Sequence, residues 1–222
     1  MNSLVEMLIV LIILINLYFL VSNRIAICIK LVALQGFIIG FLILIINGAF
    51  HLPGLILSAA TILLKGIVFP ILLFRALREA EVKREVEVFV SYSASVLIGI
   101  ISLAVSFWLV SKIYFPIAPV STLMVSVAFS TIFIGIFIII SRVKALTQVL
   151  GYLILENGIC LLGISLLLDQ PIIVEMGILL DVFVAIFVMG ITIFHIQREF
   201  EHIDTHKLSK LSDVPDSIGE EK

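Results

Sequence analysis

Residues 141–163 read SRVKALTQVLGYLILENGICLLG. Two basic residues, Arg142 and Lys144, open the stretch. An apolar run follows and continues to Leu168, where Asp169-Gln170-Pro171 breaks it. Such a run is long enough to cross the hydrocarbon core of a bilayer, which takes about 20 residues of helix. Inside it lies a carboxylate, Glu156. A basic turn, an oily helix and an acid at mid-depth together set the fold class: a membrane helix bundle with charge in its interior.

The rest of the chain agrees. Hydrophobic residues make up 62% of the 222 residues, charged residues 14%, and mean hydropathy is +1.29. Soluble domains are about 45–50% apolar. The net charge of −2 says little; where the charges lie matters more. No basic patch interleaved with aromatics is present, so no nucleic-acid partner is expected. There is no phosphate-cradling glycine loop and no nucleophile elbow. Cys28 and Cys160 fall inside apolar spans and read as small hydrophobic filler. His202 and His206 are four apart and could share a helix face, without carboxylate or cysteine partners at ligand spacing. No catalytic residue, no cofactor and no metal site is expected. The apolar start has no basic n-region, carries Glu6, and lacks a small-x-small cleavage signature, so it reads as a first membrane helix.

Seven spans are expected in an all-α polytopic bundle: Leu4–Val21, Ile25–Ile46, Leu55–Phe74, Val88–Val110, Val120–Ile140, Val149–Leu168 and Ile172–Phe194. Turn chemistry separates them, at Ser22-Asn23, Asn47-Gly48 with Pro53-Gly54, Pro116 with Pro119, and Asp169-Gln170-Pro171. Pro70, inside the third span, is expected to kink it near its end. With seven spans, one face of the membrane receives Arg24, Arg75, Arg78, Lys83, Arg84, Arg142, Lys144, Arg198, Lys207, Lys210 and Lys222, which is 11 of the 14 basic residues. The other face receives Lys112, and Lys30 and Lys65 lie within spans. The positive-inside rule then predicts the N-terminus outside and the C-terminus cytoplasmic. The run Arg75–Glu87 mixes both signs and reads as a short solvated helix. The polar tail after Phe194 reads as mobile.

Lys65, Glu156 and Asp181 stand near the centres of their spans. A charge there costs roughly 2.5–3.5 kcal/mol on insertion scales. At 1.5 Å rise per residue, Glu156 and Asp181 lie about 18–20 Å from the turn that joins their helices, and Lys65 about 16 Å below Pro53-Gly54. All three fit one layer near the midplane. Each has a structural reading beside a functional one. Lys65 is a static counter-ion or part of a proton path; Glu156 is a neutral, hydrogen-bonded acid or a proton carrier; Asp181 divides evenly between such roles. Glu175 and Glu6 lie near outer ends and read as interfacial. Lys30 can snorkel to the cytoplasmic side.

The stretch from Ser141 to Gly163, with Leu155-Glu156-Asn157-Gly158 at its heart, and the following acidic helix EMGILLDVFVAIFVMG (Glu175–Gly190), resemble hydrogenase-4 component E, a membrane subunit of formate hydrogenlyase-type complexes. The resemblance extends over nearly the whole chain in length and span layout. The last three spans also look like the K subunit of respiratory complex I and the C subunit of multisubunit cation/proton antiporters. In those relatives a membrane glutamate follows a basic turn, and Glu156 matches it. A second acid lies on the next helix, here Asp181 or Glu175, with depth favouring Asp181.

The resemblance implies a non-catalytic subunit of the cell inner (cytoplasmic) membrane. Its implied partners are antiporter-like large membrane subunits, a quinone-site-like membrane subunit and a peripheral nickel–iron hydrogenase-like module. The implied division is residues 1–87 as a three-span unit with a charged loop, 88–118 as the fourth span and linker, 119–194 as a K-like three-span unit, and 195–222 as the tail. The first triplet reads as a faint copy of the last, with Gln35 in the place of Glu156 and Lys65 in that of Asp181. Two rival classes stay open: a purely structural scaffold with locked ion pairs, and a stand-alone transporter.

Overall fold

A computed structural model describes residues 2–47, 52–79, 90–114, 119–142 and 144–166. The elements formed are helices: α1 (Asn2–Val21), α2 (Ile25–Asn47), α3 (Leu52–Thr61), a π-helical segment (Ile62–Val68), α4 (Phe69–Glu79), α5 (Tyr92–Lys112), α6 (Thr122–Ser141) and α7 (Ala145–Leu166). The α3, π and α4 pieces run on without a break. Six stretches of 19–25 residues are long and apolar enough to cross a membrane. They coincide with the first six expected spans. The seventh span, Asp181, Glu175 and the tail lie outside the described residues.

Four helices form the centre. α1 packs on α2, α2 on α7, α7 on α6 and α6 back on α1, closing a ring. The third span lies against α2, and α5 closes the outside of α1 and α6. Buried apolar side chains fall into two separate clusters. One holds Phe19, Leu20, Ile29, Leu73, Ile138 and Leu150 among others. The second holds Ile9, Ile12, Ile39, Leu42, Met124 and Leu161 among others. On every ring helix the two clusters take opposite halves, with polar residues between them. Ile15 and Phe19 flank Asn16, Val32 and Ile38 flank Gln35, Ala128 and Ile134 flank Thr131, and Ile154 and Leu161 flank Glu156 and Asn157. The bundle is therefore a polar layer held between two dry ones.

Hydrocarbon gives no hydrophobic incentive for helices to pair, so close backbone approach supplies the packing. The α6–α7 seam shows it. A Cβ on Gly135 would lie 2.5 Å from the Leu155 amide nitrogen, and one on Gly158 2.8 Å from the Ile132 amide nitrogen. Glycine is required at both positions for contact, not for backbone freedom.

The third span departs from expectation. The expectation for it was a kink at Pro70 near its end. Just before Pro70 it also has an irregularity that was not expected, seven residues wound with i→i+5 bonds, closed by the Phe69 N–H donating to the Leu64 carbonyl. Pro70 has no N–H to continue either ladder, so the register is free to change at that point. The helix also extends past Phe74 to Glu79, taking in the start of the charged run.

Candidate functional site

The π segment carries Lys65, and α7 carries Glu156. Lys65 Nζ lies 3.0 Å from Glu156 Oε1, with the two residues 5% and 2% exposed. The pair has ion-pair distance without the alignment of a hydrogen bond, and Glu156 Oε2 has no hydrogen-bond partner among the described residues. A buried pair of this kind owes little of its existence to stability, because desolvating both charges offsets most of their attraction. Removing one partner leaves the other buried and, where that group stays charged, uncompensated at a cost of about 3–5 kcal/mol.

The amine is delivered to this place by a backbone contact. α2 presents Gly36 to the π segment, and a Cβ there would lie 2.7 Å from Lys65 Cβ and 3.3 Å from the Lys65 carbonyl oxygen. One turn on, Ser58 Oγ donates to the Gly40 carbonyl at 2.7 Å and ties α3 to the same face of α2. Gly66 lies against the Phe37 ring. Small residues thus let the third span sink onto α2 until a lysine with a long stem reaches across to α7.

Beside the pair runs a chain of neutral polar side chains. Asn157 Nδ2 donates to Gln35 Oε1 at 3.3 Å, and Gln35 Nε2 donates to Asn16 Oδ1 at 3.3 Å. Asn16 Nδ2 donates to Thr131 Oγ1 at 2.9 Å, and that hydroxyl donates to the Val127 carbonyl at 2.7 Å. The chain passes from α7 to α2 to α1 to α6, visiting each helix of the central ring in order. All four residues are buried. Asn157 Oδ1, at the head of the chain, has no hydrogen-bond partner among the described residues.

The structure therefore brings Lys65 and Glu156 together and sets Gln35 beside them, bonded to Asn157. Lys30 is exposed on α2 and takes no part in the layer. Asp181 and Glu175 lie outside the described residues. Asn16, Asn157 and Thr131 were not singled out from the sequence as site residues. One signal pointed to the first two: Asn16, Gln35 and Asn157 are the carboxamides placed deep in the first six spans, and all three meet in one chain.

Arg142 was also read differently, as a loop charge. It is 2% exposed, and its Nη2 donates to the Leu20 carbonyl at the end of α1, at 3.4 Å. Among the described residues no group of three His, Cys, Asp or Glu side chains is placed to hold a metal ion.

The chain is 33% identical over 156 residues to an uncharacterised protein of Mycobacterium tuberculosis, covering 69% of this chain and 70% of that one. It is 26% identical over 157 residues to hydrogenase-4 component E of Escherichia coli and of Shigella flexneri, covering 71% of this chain and 73% of theirs. No family model matches the chain, and no solved structure matches it.

Proposed function

We propose that this chain, which belongs to the same family as the uncharacterised Mycobacterium tuberculosis protein, is a non-catalytic membrane subunit of a hydrogenase-4-type, complex I-related assembly. In this reading it supplies part of a proton or cation path coupled to electron transfer in its partners. Glu156 is the proton carrier, Asp181 its relay partner on the following helix, and Lys65 the charge that tunes or extends the path. The partners are antiporter-like large membrane subunits, a quinone-site-like membrane subunit and a peripheral nickel–iron hydrogenase-like module. The chain lies in the inner membrane with its N-terminus outside.

The likeness to hydrogenase-4 component E supports the kind of assembly. The observation that carries the reading of the site is the Lys65–Glu156 pair at mid-span, 3.0 Å apart and buried. An ammonium this close to a buried carboxylate couples the charge of one group to the charge of the other. A carboxylate whose counter-ion moves is a proton switch. Charge displacement in a neighbouring subunit is a sufficient trigger.

The test uses the intact complex in sealed vesicles. Glu156→Gln is expected to assemble with its partners, keep electron transfer, and lose the ion movement coupled to it. Normal ion movement in that variant rejects the assignment.

One observation favours a second reading, a scaffold with a static pair. The polar layer is enclosed by apolar clusters on both sides, which suits a seal between larger subunits. In that case Glu156→Gln impairs assembly, and adding Lys65→Met repairs it.

A further inference from the structure

We infer that one face of α2 binds an anionic phospholipid, with the lipid phosphate at Lys30 and an acyl chain along Leu34, Phe37 and Phe41. Such a site is independent of the role given to Glu156, which stands or falls on other measurements.

α2 has α1, α7 and the third span as neighbours, yet one of its faces is left open. Lys30, Leu34, Phe37 and Phe41 are all exposed there, at intervals of four, three and four residues, the spacing of a single helix face. The three apolar residues need no more than hydrocarbon beside them. The lysine needs an anion or water, and among the described residues it has no ion-pair partner. Its depth follows from the seam with the third span. Gly36 meets Lys65 and Gly40 meets Ile62, so the antiparallel third span passes Lys30 near Ile71. Arg75 and Arg78 lie beyond Ile71 and are exposed, as is Arg24 in the turn before α2. These arginines mark the level of the headgroups. At 1.5 Å rise per residue, Lys30 stands about 6 Å deeper than Arg75.

A cation one turn below the basic rim, on a face open to hydrocarbon, is costly unless its head reaches a polar group. The lysine stem is apolar and flexible, so the ammonium rises towards the rim while the stem stays along the helix. The group it meets there is a lipid phosphate. A zwitterionic headgroup brings its own ammonium and no net charge. An anionic headgroup supplies the missing counter-charge, and the arginine rim adds to the attraction. The shape of the face agrees. Its charge stands at one end only, and the run from Lys30 to Phe41 rises about 16 Å, against about 15 Å for one leaflet, half of a hydrocarbon core of about 30 Å. A membrane helix of a partner with a carboxylate also matches the charge, but it has no reason to be apolar over one leaflet and charged at the headgroup level alone. The site also adjoins the third span, since the Phe37 ring lies on Gly66. A lipid held there therefore lies beside the seam that delivers Lys65.

The experiment is native mass spectrometry of the delipidated full chain, given equal amounts of phosphatidylglycerol and phosphatidylethanolamine with the same acyl chains. The wild type is expected to retain phosphatidylglycerol with a preference of which Lys30 supplies about fivefold. Lys30→Gln should remove that share, and Lys30→Arg should keep it. Lys112→Gln, which removes an exposed cation from the last turn of α5, should leave the preference unchanged. Equal retention of the two lipids by the wild type overturns the site. So does an unchanged preference in Lys30→Gln, which would leave the arginine rim as its source. A second measurement keeps Lys30 in place and so does not depend on the folding of that variant. A photoreactive benzophenone side chain at Leu34, in the intact complex, is expected to crosslink to phospholipid. Crosslinking to a protein subunit overturns the lipid site and makes this face an interface.

Discussion

Gly36 and Lys65 meet backbone to backbone. A Cβ on Gly36 would stand 3.1 Å from the Lys65 carbonyl carbon and 2.7 Å from its Cβ. The neighbouring atoms belong to main chain and to the root of the side chain, so no rotamer change relieves the contact. The position of the amine opposite Glu156 depends on a missing methyl group on α2.

Gly36→Ala is therefore expected to push the π segment from α2 and open the Lys65–Glu156 pair. Overpacking of this kind costs about 1–3 kcal/mol. The measurement is the unfolding midpoint of the purified protein in mixed micelles of increasing SDS fraction. Leu34→Ala, one residue before Gln35 and 45% exposed, is the control and should shift the midpoint little. Equal midpoints for Gly36→Ala and Leu34→Ala would show that the helices are not in contact at this level.

The ion pair itself yields a double-mutant cycle. Lys65→Met alone leaves a buried carboxylate, and Glu156→Gln alone leaves a buried amine. If both groups stay charged in the folded protein, each single change is expected to cost about 3–5 kcal/mol and the double much less. If Glu156 takes up a proton when its counter-ion is lost, Lys65→Met costs less than that range, because a neutral acid is cheap to bury. The same micelle unfolding assay separates the two outcomes. The second is what a proton carrier requires.

Much of this site was legible in the sequence, for a simple reason. A helix rises 1.5 Å per residue, so counting from a turn gives depth. Lys65 and Glu156 were placed in one layer on that basis, and they are 3.0 Å apart. The six spans followed from the length of apolar runs and the turn residues between them. Counting does not give azimuth around a helix. That Gln35 faces Asn157 and not lipid depends on how α2 and α7 pack, and packing here is set by glycines spread over several helices. The π segment was hidden for a related reason. Its extra residue per turn satisfies tertiary contacts at Gly36 and Gly40, while its composition, Ile62–Val68, is that of any apolar helix. Arg142 was read from the charge-counting rule, which locates a side of the membrane and says nothing about burial.

Glycine positions differ in how much they tolerate, and the difference is open to measurement. At Gly135 an added Cβ meets the Leu155 amide nitrogen at 2.5 Å and its Cα at 2.7 Å. At Gly99 it meets the Leu20 Cδ1 methyl at 2.5 Å. A leucine methyl swings aside by rotation; a backbone nitrogen does not. Gly135→Ala is expected to destabilise by about 1–3 kcal/mol through overpacking. Gly99→Ala should fall near or below the bottom of that range, helped by the higher helix propensity of alanine. The comparison is again of SDS-unfolding midpoints. A larger loss at Gly99 than at Gly135 would contradict the packing of α6 on α7 described above.

The last prediction concerns Arg142, where two explanations of one residue diverge. As a topological signal, its charge alone matters, and lysine serves as well as arginine. As a structural group, its planar guanidinium matters. Arg142 lies 2% exposed at the C-terminal end of α6, reaches the Leu20 carbonyl in the last turn of α1, and has its own carbonyl held by Gln148 Nε2 at 3.0 Å. A cation there offsets the negative ends of both helix dipoles and satisfies a carbonyl that α1 leaves without an intrahelical donor. Arg142→Met is expected to lower stability by about 1–3 kcal/mol, the range for removing a buried hydrogen-bonding group. Arg142→Lys should recover only part of that loss, because an ammonium is compact and strongly hydrated where a guanidinium lies flat and is more easily buried. Orientation in the membrane, read from cysteine accessibility at Asn23 and Lys112, should be unchanged in the lysine variant. Full recovery of stability by lysine would reduce Arg142 to its charge; partial recovery with normal orientation assigns it to the joint between α1 and α6.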